Sequence, residues 1–355
     1  MPDSLVTSSE AGNITDKTEH EDFKHILQGQ ALNALTKVKT KNLLKDKAGN
    51  AGVKVDNNFS LTIKEYSTLP GGIPITAFML LDCFVIHFTN QPIKSVCIRL
   101  PLSEYMDMRR LSDVKAAREQ VLRDIEALKK IEYQAREKIR GKWVQSGSVS
   151  LYGGTGYIKN GIIHFNFNAD FFNTLLTYRI MDYSVETLRL NPKQHPHAYF
   201  LSRYIDVNYR VNEGENRVKT ISVATLIKNA PYLPTRDEVM KSASYRGNIY
   251  NAIIEPIVRD LDSIERLYYD FIDENGVTID DPLNTFKGIG GFERFISSRI
   301  QVDYSDYEKH PKRIERKRVH TARASKTRAS KKKTTELETR IAALEDKRQG
   351  LREAN

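Results

Sequence analysis

His195-Pro196-His197 stands just ahead of Tyr199, and a histidine pair that holds a metal beside a tyrosine is an arrangement able to nick DNA. Here both histidines fall at a proline-marked helix start instead of on a strand, and no third ligand is evident. They read as helix-entry residues. Gly153-Gly154-Thr155-Gly156 invites comparison with loops that cradle phosphate. Such a loop must run into a helix and carry Gly-Lys-Ser/Thr, whereas these glycines precede a strand. The two cysteines, Cys83 and Cys97, lie in apolar segments with no second pair for a zinc site or disulfide framework, which points to core positions in a reducing cytoplasm. No catalytic residue, metal ligand or cofactor is assigned, and the chain is not expected to be an enzyme. Its function has to come from binding.

The residues suited to binding are cationic. Lys312, Arg313, Arg316, Lys317, Arg318, Arg323, Lys326, Arg328, Lys331, Lys332 and Lys333 form a block interrupted by one acid, Glu315. Of 55 Lys and Arg and 45 Asp and Glu, 44 of each remain outside residues 312–333, so the whole net charge of +10 sits there. Such a block draws polyphosphate through counterion release with little sequence preference. The plainer alternative is a solvated tail.

Sequence-specific contacts need rigid elements, and the predicted elements come in a repeated order. An apolar helix, a short helix, a longer basic-edged helix and a β-hairpin follow one another at about 73–168 and again at about 194–302. That succession is the winged-helix plan, in which the third helix enters a major groove and the hairpin wing grips the backbone. The expected fold class is α+β with two tandem winged-helix domains, 59–178 and 179–304. A polar segment, 1–58, precedes them, disordered over its first twenty residues, and a basic tail, 305–355, follows them.

In the first copy the patterning predicts a helix over 73–88, a strand over 95–100, a short helix from Pro101, and a helix from an N-cap at Ser112 to about Lys130. Val114, Ala117, Val121, Ile125 and Leu128 form the last helix's apolar stripe. Strand-like stretches 131–138 and 142–152 lead to Asn160-Gly161, the strongest short hairpin signal in the chain. Asp170–Tyr178 reads as a helix and Thr187–Leu190 as a strand. In the second copy Ala198, Leu201, Ile205 and Tyr209 mark the first helix and Ser222 caps the second. The third begins near Tyr245 with Ile249, Ile253, Ile257 and Leu261 inward and a kink at Pro256. A hairpin turns at Asn275-Gly276, and Ser298–Val302 is the last strand. Upstream, Leu27, Ala31, Leu35 and Val38 suggest one amphipathic helix from Phe23, and Asn57–Glu65 alternates as a strand. Downstream, Leu337, Ile341, Leu344 and Leu351 keep heptad spacing. The apolar run Ile73–Phe88 is shorter than the roughly 20 residues of a membrane span. A secretory signal is not expected either, which places the chain in the cytoplasm.

Subtracting the inward stripe leaves Arg246, Asn248 and Asn251 on the solvent side of the second copy's third helix, with Tyr250 and Lys241 nearby. Asn reads adenine and Arg reads guanine in bidentate fashion, each pairing contributing about 1–3 kcal/mol of discrimination. In the first copy the matching edge is Arg109, Arg110, Lys115 and Arg118, with Arg118 the preferred base contact. Lys159 and Asn160 at the first wing tip suit phosphate or minor-groove contact. The second wing tip, Asp273-Glu274-Asn275, is acidic and is expected to stay off DNA. Ordinary surface polarity is the alternative for each residue.

Five stretches carry a resemblance: IRLPLSEYMDMRRLSDVKAAREQVLRDIEAL (98–128), GYIKNGIIHFNFNADF (156–171), NPKQHPHAYFLSRYI (191–205), ISVATLIKNAPYLPT (221–235) and NIYNAIIEPIVRDLDSIE (248–265). With them, residues 61 to about 304 resemble plasmid replication initiators of the paired winged-helix, iteron-binding class, like those of low-GC Gram-positive plasmids and mobile elements. The resemblance implies a protein that binds repeated sites on double-stranded DNA, helps open adjacent AT-rich DNA and recruits host helicase or initiator proteins. It also implies a homodimer that represses its own promoter. The alternative is a transcriptional regulator using the same two reading heads, and the lesser alternative is a rolling-circle tyrosine nickase. The same chemistry in a phage or conjugative element is a further setting.

Overall fold

Residues 23–38 do not form the single helix that their spacing suggests. Phe23–Gln28 is a strand, β1, and helix α1 covers only Gln30–Leu35. The strand pairs antiparallel with residues 179–184, so a partner far along the chain overrides a spacing that a helix would satisfy locally. Gly29 makes the break, because a Cβ there would collide with the ring of Tyr178. Beyond it Ala31, Leu32, Leu35 and Val38 are buried.

The computed structural model describes residues 23–40, 43–55, 57–69, 71–139, 142–145, 147–211, 220–244 and 248–303. The first twenty residues, Tyr245, Arg246, the basic block and the heptads lie outside the described residues. The chain divides into two compact units, Met1–Glu265 with Tyr269–Gln301, and Arg266–Tyr268 with Val302–Asn355. Of the second, residues 266–268, 302 and 303 are described. The fold is mixed α+β, and no helix among the described residues is long and apolar enough to cross a membrane.

β2 (Ala51–Lys54) pairs with β3 (Phe59–Ile63), which buries Phe59, Leu61 and Ile63 in the expected alternation. Helix α2 (Ile75–Asn90) is buried at every position from Ala77 to Thr89, as a central helix must be. After β4 (Cys97–Pro101) come α3 (Leu102–Arg109) and α4 (Val114–Leu128). Asp113, and not Ser112, caps α4, accepting from the Ala116 amide at 2.9 Å, where its charge also meets the helix dipole. Ala117, Val121, Ile125 and Leu128 of the α4 stripe are buried, but Val114 in the open first turn is exposed.

β5 (Ile131–Ile139), β6 (Lys142–Gln145) and β7 (Val149–Ser150) extend the sheet of β2 and β3 in the order β2-β3-β5-β6, with β7 also on β5. β8 (Tyr152–Lys159) and β9 (Ile162–Phe167) form the expected hairpin. Asn160 and Gly161 turn it with φ of 51° and 73°, and two left-handed residues match the twist of the flanking strands. β9 also pairs with β4, giving the sheet β4-β9-β8. Its inner face meets α2, where Phe84 stacks on Phe165 at 4.7 Å and Phe88 meets Phe167 edge-on at 6.2 Å.

α5 (Ala169–Leu175) and β10 (Arg179–Ser184, the partner of β1) lead to α6 (Glu186–Arg189), a helix where a strand was expected. Thr187 is buried there with its Oγ1 2.7 Å from Ser202 Oγ, so packing against the next helix decides its form. α7 (Ala198–Val211), β11 (Thr220–Ser222) and α8 (Val223–Lys228) follow, and Ser222 caps α8 as its sequence position indicates. α9 (Arg236–Lys241) is an additional helix, opened by a capping box between Thr235 and Glu238. The third helix of this half opens in π geometry over Tyr250–Ile254 and continues as α10 (Glu255–Asp262). Pro256 has no amide hydrogen to donate one turn back, which places the irregularity here. β12 (Tyr268–Ile272), α11 (Pro282–Thr285), α12 (Gly291–Ser297) and β13 (Arg299–Asp303) complete the described chain, with the sheet order β11-β13-β12. The hairpin expected at Asn275-Gly276 is short: Ile272 bridges Thr278, the Asp273 amide donates to the Val277 carbonyl at 2.9 Å and the Ile279 amide to the Phe271 carbonyl at 2.7 Å.

Candidate nucleic-acid interface

Helix α4 buries one face against α2 and β8 and leaves Lys115, Arg118, Glu119 and Arg123 exposed. Arg123 Nη1 lies 3.9 Å from Glu119 Oε2 and its Nη2 donates to Gln120 Oε1 at 3.3 Å, exposed contacts that add little stability. Arg110 is exposed in the turn before α4 with φ of 49°. Arg109 corrects the expected set. It is only 7% exposed, four residues after Tyr105 on the inner face of α3, with Nη1 3.5 Å from the Tyr105 hydroxyl. An i, i+4 neighbour of a buried tyrosine points inward with it, so Arg109 belongs to the interior.

The β8–β9 hairpin turns where the sequence puts it. Lys159 and Asn160 are exposed at the β8–β9 turn, and the Gly161 carbonyl accepts from the Leu102 amide at 2.8 Å, which ties the turn to the start of α3. The outer face of the same sheet holds residues not singled out from sequence. Arg99 lies opposite His164, and His164 lies opposite Tyr157, whose ring stacks on the imidazole at 4.7 Å. Strict alternation through Cys97–Pro101 was the available signal for Arg99.

In the second half Asn248 and Asn251 are both exposed, but Asn248 Oδ1 accepts from the Asn251 amide at 3.0 Å and so caps the helix. Tyr250 is half-buried with Lys287 Nζ 5.4 Å above its ring. Ile249, expected inside, is half-buried and lines a cavity of about 610 Å³ with Asn248, Tyr250, Ile254 and Phe292. Lys241 is exposed at the end of α9, a separate element from the third helix. At the second hairpin Asp273 Oδ1 accepts from the Asn275 and Val277 amides at 2.9 and 2.8 Å, so the acidic tip satisfies itself.

The histidine pair and Tyr199 face inward. Tyr199 is fully buried, its hydroxyl donating to Asp82 Oδ2 at 2.8 Å. The His197 amide donates to Asp260 Oδ2 at 2.8 Å, and His195 Nδ1 lies 3.2 Å from Asp260 Oδ1. Burial pushes the His197 imidazole down to about 4, which keeps it neutral. Gly153–Gly156 lies within β8, where no helix follows. Cys83 is fully buried and Cys97 half-buried, so only the first is a core residue outright.

No protein-family model matches the chain, and no curated protein matches it in sequence. Among solved structures, the crystal structure of the RctB domains 2-3 aligns with a TM-score of 0.42 at 10% identity, over 76% of this chain and 96% of that one. A selenomethionine derivative of domains 2 and 3 of RctB aligns with the same score and identity over 76% and 95%.

Proposed function

We propose that the chain is a sequence-specific, double-stranded DNA-binding protein that initiates replication through two winged-helix heads. One observation carries the reading. Helix, strand, helix, helix, strand, strand recurs in α2–β9 and in α7–β13, and both three-stranded sheets place their last strand in the middle, as β4-β9-β8 and β11-β13-β12. A last strand returning between the first two, with the preceding helix exposed, is the arrangement that carries a recognition helix and a wing. The first head carries β5–β7 as an insertion after its third helix, and the second carries α9 before it and α11 and α12 before its last strand. Arg110, Lys115, Arg118, Lys159 and Asn160 would make the first head's contacts, and Asn251, Tyr250, Lys241 and Arg246 the second's. No cofactor is called for. A homodimer and host helicase or initiator proteins are the further partners.

The test is protection of the DNA flanking the protein's own coding region. Tandem direct repeats beside an AT-rich tract favour the initiator. A single palindrome over a promoter favours the regulator, and no protection at any sequence removes both.

A further inference from the structure

Asp82 lies at the middle of α2 and is fully buried, yet it is surrounded by donors from the other half of the chain. Its Oδ2 accepts from Tyr199 Oη at 2.8 Å and from Arg203 Nη1 at 2.5 Å, both on α7. Tyr183 Oη on β10 donates to the same oxygen at 2.9 Å. Arg203 is 3% exposed, and its Nη2 reaches Gln28 Oε1 on β1 at 3.3 Å. Apolar contacts continue the joint, with Phe78 of α2 edge-on to Phe200 of α7 at 6.3 Å and the Tyr232 hydroxyl on the Ile73 carbonyl at 2.6 Å. The connection between the halves is packed as well, with Val185 and Leu188 buried.

An apolar joint alone could slide, because one greasy contact replaces another at similar energy. A buried ion pair cannot: shifting α7 by one turn would leave Asp82 and Arg203 each uncompensated inside the protein, at a cost of several kcal/mol. Burial pushes the Asp82 carboxyl up, and Arg203 with the Tyr199 and Tyr183 hydroxyls pulls against it, so each donor lost leaves the carboxylate less compensated.

We propose that Asp82, Arg203, Tyr183 and Tyr199 lock the two heads in one relative orientation and thereby make the protein read two DNA elements at one fixed separation. This rests on the DNA-binding reading above. A flexible tether would tolerate added base pairs, whereas locked heads would not, since each added pair turns the second element by about 34–36° at roughly 10–10.5 base pairs per turn. Five added pairs put the two elements on opposite faces of the duplex. The intramolecular second contact is then lost, and with it about 100-fold or more in affinity.

The experiment uses the full chain and a duplex selected by it from a randomised double-stranded library. Insertions of 1 to 10 base pairs are placed between the two protected segments, and affinity is measured for each. The expected result is a loss of about 100-fold at five pairs with partial recovery near ten. The same series is run with Tyr183→Phe/Tyr199→Phe and with Asp82→Leu/Arg203→Met, the second removing both charges together so that neither is stranded. In these variants the five-pair penalty should fall at least tenfold while binding to each element alone persists. A wild-type protein indifferent to five pairs overturns the lock, and variants as spacing-sensitive as the wild type overturn its assignment to these four residues. Failure to select any duplex overturns the DNA reading itself, a result distinct from both.

Discussion

Two buried titratable side chains pull stability in opposite directions with pH. Burial raises the Asp124 carboxyl from 3.8 to about 7, against hydrogen bonds from Thr76 Oγ1 and Gln120 Nε2. Its folded value exceeds its unfolded one, so its contribution is fully present below pH 3.8 and is lost as pH rises through about 7, on the order of 4 kcal/mol in all. His197 runs the other way: lowered from 6.5 to about 4, it contributes above pH 6.5 and that contribution is lost as pH falls through about 4. Asp124→Asn should therefore remove the decline between pH 4 and 7 and leave the protein at least as stable as wild type at pH 8. Urea midpoints across that range read it, and a variant weakened equally at pH 5 and pH 8 would refute the assignment. At the surface, Asn251→Ala is the clean test of base reading, because Asn248 also caps its helix. It should cost about 1–3 kcal/mol for the selected site and almost nothing for unrelated duplex. Equal losses on both would show that Asn251 does not read bases.

At the level of elements, the DNA-binding proposal divides the work between the β8–β9 turn as a wing and α4, and substitution should separate them. Lys159→Glu at the hairpin tip should weaken binding to every duplex and lower the dependence of log affinity on log salt by about one unit or more. Arg118→Ala on α4 should instead relax preference for the selected site. If Lys159→Glu alters preference alone, the wing is reading bases and the division fails. How much of this was legible follows from how local each signal is. Asn160-Gly161, the Ser222 cap and the alternation of Phe59–Ile63 act within a few residues, and the structure repeats them. β1 depends on β10 and α6 on α7, so their forms are set by partners that no local window contains. Arg109 was misplaced for the same reason: charge suggests a surface, but its place beside Tyr105 on α3 fixes it inside. Arg99 was legible and passed over, since one exposed position in an alternating strand carries no functional mark by itself.

For the whole molecule, charge and chemistry are separable from specificity. Residues outside 312–333 hold 44 basic and 44 acidic side chains, so the strongest concentration of positive charge in the chain is the block 312–333. Truncation after Tyr307 should weaken binding to any duplex and flatten its salt dependence while site preference survives. An unchanged slope would mean that the block is idle on DNA and would direct attention to Leu337–Leu351 as a protein-binding element. On the DNA-binding proposal, two heads joined through Asp82 and Arg203 would apply binding energy to duplex distortion, because the second contact becomes intramolecular after the first. Copies on neighbouring repeats would add bends that strain flexible TA steps. Strand cleavage would need an exposed nucleophile, and Tyr199 donates its hydroxyl to Asp82 in the interior. Incubated with supercoiled DNA carrying its site and magnesium or manganese, the protein should therefore leave the DNA covalently intact and consume no nucleotide. A nicked product joined to a tyrosine, and lost in Tyr199→Phe, would require the joint between the halves to open and would replace opening by binding with opening by cutting.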